Sequence, residues 1–72
     1  MTQTRVSARN RLAGTVVEVK LGEVTAQITI RAGRQLVVAV ITRDSAEEME
    51  LAKGDRVAAL VKSTDVMVMK EG

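Results

Sequence analysis

Residues 24–31, Val24-Thr25-Ala26-Gln27-Ile28-Thr29-Ile30-Arg31, alternate apolar and polar side chains without a break. A period of two puts Val24, Ala26, Ile28 and Ile30 on one face of an extended chain and Thr25, Gln27, Thr29 and Arg31 on the other. Such a strand rests one face on a core and shows the other to water, the pattern of a half-buried antiparallel strand. Everything around it is organised on the same scale. Upstream, Gly22-Glu23 forms a turn, and Leu12 to Leu21 (LAGTVVEVKL) predicts a first strand with its apolar side at Val17 and Val19. Downstream, Ala32-Gly33-Arg34 predicts a tight hairpin, with Gly33 free to take positive φ. The third strand, Gln35 to Ile41 (QLVVAVI), is apolar on both sides. In so short a chain this predicts that one of its faces covers a partner subunit.

At Thr42 the rhythm changes. Ser45 followed by Glu48 is a capping-box pattern with acids in the first turn, which predicts a short helix, with Thr42 the alternative cap. Ala46, Met49 and Ala52 share its apolar face, with Leu51 beside them, and Gly54 supplies the C′ residue after Lys53. Asp55 to Lys62 (DRVAALVK) predicts a fourth strand, Ser63-Thr64-Asp65 a turn, and Val66 to Lys70 (VMVMK) a fifth strand. The expected fold class is therefore all-β with one short helix: a five-stranded OB-like β-barrel in the order β-β-β-α-β-β.

The chain has 72 residues, 46% of them hydrophobic, and residues 1–72 read as a single domain. A domain this size buries only about 60% of its unfolded surface and usually needs a further staple. There is no Cys and no His, so disulfides and ordinary zinc sites are excluded and oligomerisation is the remaining device. The N-terminus lacks the apolar core of a signal peptide, and no run approaches a membrane span; a cytoplasmic location is expected, with no membrane partner.

Function classes narrow quickly. Without His or Cys there is no ordinary base, nucleophile or soft ligand, no phosphate-cradling glycine motif is present, and no enzyme activity is expected. The acids of residues 44–50 read as a solvated helix face. Met49, Met67 and Met69 read as gap-fillers. The net charge is only +2 and there is no Phe, Tyr or Trp. An OB-like nucleic-acid-binding module, which stacks bases on aromatics, is thus a secondary reading, as is a structural oligomerisation module without ligand.

What remains is a set of hydrogen-bond donors at three element boundaries. Ser7, Arg9 and Asn10 precede the first strand, Thr42 and Ser45 stand where the third strand meets the helix, and Lys62 and Ser63 follow the fourth strand. The set contains hydroxyl, amide, guanidinium and ammonium groups and no carboxylate. If the three junctions converge, they suit a small tetrahedral oxyanion, whose dehydration requires donors on nearly every oxygen.

Five segments carry a family resemblance: S-A-R-N at 7–10, L-A-G-T-V at 12–16, A-V-I-T-R-D-S-A-E-E at 39–48, K-G-D at 53–55 and A-L-V-K-S-T-D-V at 59–66. In this order and spacing the chain resembles the molybdate-binding Mop family, the molbindins. The resemblance implies an OB-like barrel that binds molybdate, and often tungstate, as the intact oxyanion. It also implies a free-standing homo-oligomer, a hexamer built as a trimer of dimers, serving molybdenum storage or homeostasis with oxyanions held between subunits. Carried over, Ser7 and Arg9 donate to the oxyanion, and Ala8 and Asn10 contribute through backbone or side chain. Lys62 adds the second charge and Ser63 a backbone N–H or hydroxyl. Thr42 and Ser45 come from a neighbouring subunit, and no side chain coordinates the metal atom directly. The family commonly has Gly-Leu and a Pro after the acidic helix, where this chain has Met49-Glu50-Leu51 and Ala52-Lys53; the difference is expected to alter only helix length.

Overall fold

A computed structural model describes residues 10–72, so Ser7, Ala8 and Arg9 of the donor set lie outside the described residues. The elements are β1 (Asn10–Leu21), β2 (Thr25–Ala32), β3 (Gln35–Thr42), the helix α1 (Arg43–Glu48) and β4 (Arg56–Val61), then a single 3-10 turn at Ser63–Asp65. The class is all-β with one short helix. The strands form one antiparallel sheet in the order β3-β2-β1-β4.

β2 buries three of the four side chains its alternation assigns to the core, Ala26, Ile28 and Ile30, while Thr25 and Arg31 are exposed. Val24, expected on the same face, precedes the strand and is exposed. With Val16 and Ala46 these three form the core, and Val19, Val37, Ala39, Ile41, Leu51, Val57 and Ala59 pack half-buried around it. On β1 the expected apolar side is corrected. Val16 opposes Ile30 and Glu18 opposes Thr29, which leaves Val17 as an extra residue in a β-bulge. The bulge reverses the parity of the strand, so Val16, only 1% exposed, points into the core where Val17 was expected. Beyond it, Val19 faces inward as expected. The β2–β3 hairpin closes on the Ala32–Gln35 pair, with Gly33 at φ 62°.

The helix also departs from its expected limits. Its N-cap is Thr42, the alternative to Ser45, and it runs from Arg43. Thr42 still belongs to β3, paired with Thr25, and its extended backbone (φ −72°, ψ 150°) is the conformation an N-cap needs. Strand and helix therefore join without a loop. The far end closes on Met49 and Glu50 rather than on Gly54. The Leu51 N–H donates to the Ala46 carbonyl (3.1 Å) and the Glu50 N–H to the Glu47 carbonyl (3.0 Å). This pair of bonds is a Schellman motif with Glu50 at the C′ position, φ 52°. It returns Leu51 to the core beside Ala46 and leaves Met49 and Ala52 exposed.

Gly54, at φ 99°, instead shapes the Ala52–Asp55 turn. The Asp55 N–H donates to the Ala52 carbonyl (3.1 Å), and the Asp55 carboxylate accepts from the Ala52 N–H (2.9 Å). The turn then docks on the middle of β1: Gly54 N–H donates to the Val16 carbonyl (2.8 Å) and Val16 N–H to the Asp55 carbonyl (2.9 Å).

The sheet is not closed into a barrel. Residues 66–70 form no strand, and among the described residues β3 and β4 are the free edges. A valine-rich stretch becomes a strand only beside an edge that takes its hydrogen bonds, and among the described residues no edge pairs with this one. β3 accordingly lies at an edge, with Leu36, Val38 and Val40 exposed and Val37, Ala39 and Ile41 turned toward the core.

Candidate functional site

Two of the three donor junctions meet at one end of the sheet. β1 and β4 are antiparallel, and their outermost pair is Asn10 with Val61. The Asn10 amide Nδ2 donates to the Val61 carbonyl at 3.3 Å, which secures the strand entrance to the residue just before Lys62. One N–H of that amide and its Oδ1 stay available. Lys62 is extended (φ −66°, ψ 142°) and caps the 3-10 turn through its backbone, its carbonyl accepting from the Asp65 N–H at 2.9 Å. Its side chain is not used for that cap. Among the described residues the ion pair is Arg43 with Glu47, so no carboxylate neutralises the Lys62 ammonium. Ser63 is exposed on the same turn. Ser7, Ala8 and Arg9 precede Asn10 directly in the chain.

Thr42 and Ser45 lie elsewhere. Thr42 pairs with Thr25 at the start of β2, and β2 starts beside the far end of β1, where Leu21 opposes Ala26. The whole twelve-residue length of β1 thus separates this junction from Asn10 along the ladder. Within one subunit the sheet does not bring the two junctions together. The Thr42 hydroxyl accepts from the Ser45 N–H (3.0 Å) and donates to Ser45 Oγ (2.8 Å). A hydroxyl has one proton, so Thr42 has none left for a ligand while Ser45 keeps its own. Of the pair, Ser45 is the remaining side-chain donor.

Arg43, inside the same motif, was not among the donors read from the sequence, and the structure commits it elsewhere. Its guanidinium donates to the Gly22 carbonyl (3.0 Å) and to Glu47 Oε2 (3.2 Å), while its backbone N–H bonds the Val24 carbonyl (2.8 Å). It fastens the helix start to the β1–β2 turn. The i,i+4 spacing of Arg43 and Glu47 was legible in the sequence; the bond to Gly22 was not. Among the described residues no group of His, Cys, Asp or Glu side chains could hold a metal ion, and no helix is long and apolar enough to cross a membrane.

Comparison with known proteins identifies the family. The family model for the TOBE domain matches residues 6–68. The molybdenum-pterin-binding protein 2 of Clostridium pasteurianum is 45% identical over 65 residues, which cover 89% of this chain and 96% of that protein. The solved structure of a molybdate-binding protein from Sporomusa ovata superposes with a TM-score of 0.89 at 42% identity, covering 93% of this chain and all of that one. The cytoplasmic molybdate-binding protein ModG, solved with molybdate bound, gives a TM-score of 0.78 at 41% identity over 83% of this chain and 43% of its own. Strand order, spacing and likeness along nearly the whole chain lead to one assignment: the chain belongs to the TOBE domain family, among the Mop-type molybdenum-pterin-binding proteins.

Proposed function

We propose that this protein binds molybdate, and tungstate, as the intact oxyanion at sites shared between subunits of a homo-oligomer. The observation that carries the reading is the Asn10–Val61 junction, which sets the strand entrance following Ser7, Ala8 and Arg9 against Lys62 and Ser63. Arg9 and Lys62 give two positive charges for a doubly charged anion, with hydroxyl and amide donors for its remaining lone pairs. Ser45, with Thr42 holding it, completes the shell from a neighbouring subunit. Its position at the opposite end of the sheet supports a site built from two chains.

Such a protein performs no bond-making chemistry. It takes up an oxyanion and releases it unchanged, a role in cytoplasmic molybdenum storage or homeostasis, and the assembly is a hexamer built as a trimer of dimers. A ligand that touches two chains stabilises their association by about 2.7 kcal/mol at a hundredfold excess over its Kd. Sulfate, with shorter bonds, leaves donors of the same pocket unpaired at roughly 1–3 kcal/mol each.

Isothermal titration with molybdate tests the reading, with sulfate and phosphate in parallel. Saturable molybdate binding at micromolar affinity or tighter, about −8 kcal/mol, with weak sulfate binding is the expected result. Absence of saturation with molybdate and with tungstate overturns it.

A further inference from the structure

Thr15 sits in the middle of a row of side chains that crosses the whole sheet. It pairs with Arg31 of β2 on one side and with Arg56 of β4 on the other, and Arg31 in turn pairs with Leu36 of β3. Residues paired directly across antiparallel strands share a face. Leu36, Arg31, Thr15 and Arg56 therefore stand side by side on the face away from the core, the three outer ones exposed and Thr15 half-buried between the arginines. On one side of this row, Ala13 pairs with Ala58 on the same face, so only small side chains border Thr15 there. At the Leu36 end an open hollow of about 410 Å³ is lined by Arg31, Gly33, Arg34 and Leu36.

These arginines have no counter-charge in the protein. Among the described residues the ion pair is Arg43 with Glu47, and the side-chain hydrogen bonds use neither the guanidinium groups of Arg31, Arg34 and Arg56 nor the Thr15 hydroxyl. Residues 1–9 contain no Asp or Glu that could supply one. Of the neighbouring acids, Glu18 lies one row on, opposite Thr29, and the Asp55 carboxylate accepts from the Ala52 N–H. Two cations in one row repel each other, and an anion seated between them turns that repulsion into attraction.

We infer that Arg31, Thr15 and Arg56 hold a phosphate group, borne as a monoester by a small organic molecule whose body lies in the hollow beside Arg34 and Leu36. Arg31 and Arg56 are two strand spacings apart, about 10 Å, so two arginine side chains leaning toward each other meet above Thr15. Each guanidinium offers a fork that matches two phosphate oxygens, and the Thr15 hydroxyl adds a donor from below. A phosphomonoester carries close to two negative charges at neutral pH, matching the two guanidinium groups. In the hollow, Leu36 supplies apolar surface and the planar Arg34 guanidinium a stacking face for a flat body. The row lies at the other end of the β1–β4 ladder from the Asn10–Val61 junction. It is thus a second site, and it stands whether or not the proposed function holds.

The test titrates phenyl phosphate, and separately inorganic phosphate, into isotope-labelled protein at physiological ionic strength, followed by NMR. With phenyl phosphate, saturating shifts are expected at the Arg31 and Arg56 Nε–H signals and at the Thr15 amide. Binding should be at least tenfold weaker in Arg31→Gln and in Arg56→Gln, and Arg34→Gln should weaken phenyl phosphate more than inorganic phosphate. The double variant Arg31→Lys, Arg56→Lys keeps both charges and loses both forks, and should also bind at least tenfold more weakly. Wild-type affinity in that double variant overturns the inference, since diffuse charge attraction then accounts for the binding. Shifts that never saturate overturn it as well. So do shifts centred on Asn10 and Lys62, which place the phosphate at the other end of the sheet. Equal affinity for the two probes overturns the monoester as the ligand.

Discussion

Gly14 faces the backbone of Arg31 so closely that a Cβ on it would collide with the Arg31 carbonyl and come within 2.8 Å of Ile30 Cγ2. The β2 end of the hairpin therefore packs directly on the β1 main chain, two residues before the core residue Val16. Neither obstacle is the far end of a flexible side chain; the first is backbone and the second belongs to a buried isoleucine. Gly14→Ala should destabilise the protein by about 3 kcal/mol or prevent folding. Gly33→Ala, where a Cβ meets open space but φ is 62°, should cost only about 1 kcal/mol. Urea unfolding midpoints of the two variants check the ranking.

Glu50 holds the left-handed C′ position of a Schellman motif, where glycine carries no penalty. It is exposed and makes no recorded side-chain bond among the described residues. Glu50→Gly should stabilise the protein by about 1 kcal/mol, seen as a rise in Tm of roughly 4–8 °C. Glu50→Ala should give little or no gain, because the strain lies in the backbone.

Thr42 and Ser45 separate a capping role from a binding role. Thr42→Ala removes the oxygen that accepts from the Ser45 N–H and should cost about 1 kcal/mol of stability without any ligand present. Ser45→Ala removes the hydroxyl that still has a proton to offer, and should weaken molybdate binding while changing ligand-free stability less. Thermal denaturation without ligand, paired with titration, distinguishes the two.

Arg43 and Lys62 are both cations inside the motifs that mark the family, with different tasks. Arg43→Lys keeps the charge but loses the fork that reaches Gly22 and Glu47 together, and should cost roughly 1 kcal/mol of stability with molybdate affinity nearly unchanged. Lys62→Ala, at an exposed residue with no carboxylate partner among the described residues, should leave stability within about 0.5 kcal/mol and weaken molybdate binding at least tenfold, about 1.4 kcal/mol. Equal affinity in the Lys62→Ala variant and the wild type would remove Lys62 from the site.

Asp55 closes the Lys53-Gly54-Asp55 turn onto Ala52, and the turn is what binds both polar groups of Val16. Asp55→Ala should cost about 1 kcal/mol, and amide exchange at Val16 should accelerate more than at Ile28, whose backbone lies in the β1–β2–β3 ladders.

The alternation of residues 24–31 specifies β2 and, from Ala26 to Ile30, its buried face, because a period of two serves an extended strand lying on a core; Val24, before the strand begins, is exposed. The order of strands and helix follows from similar local signals at the hairpin glycine, the acidic first turn and the valine runs. The donor residues were also legible as types, through motifs in which Ser, Arg, Asn, Thr and Lys recur at fixed spacing. Register and closure were not. Val16 points inward in place of Val17 because a bulge, set by pairing with β2, inserts one residue into the ladder. Thr42 and Ser45 are both legible as caps, and the pairing of Thr42 to Thr25 in the sheet decides between them. Residues 66–70 are rich in valine, yet form no strand, since a strand exists only where a neighbouring edge accepts its hydrogen bonds. The separation of Asn10 and Lys62 from Thr42 and Ser45 likewise belongs to sheet topology. Local chemistry chose the donors, and long-range pairing decided which of them one subunit can bring together.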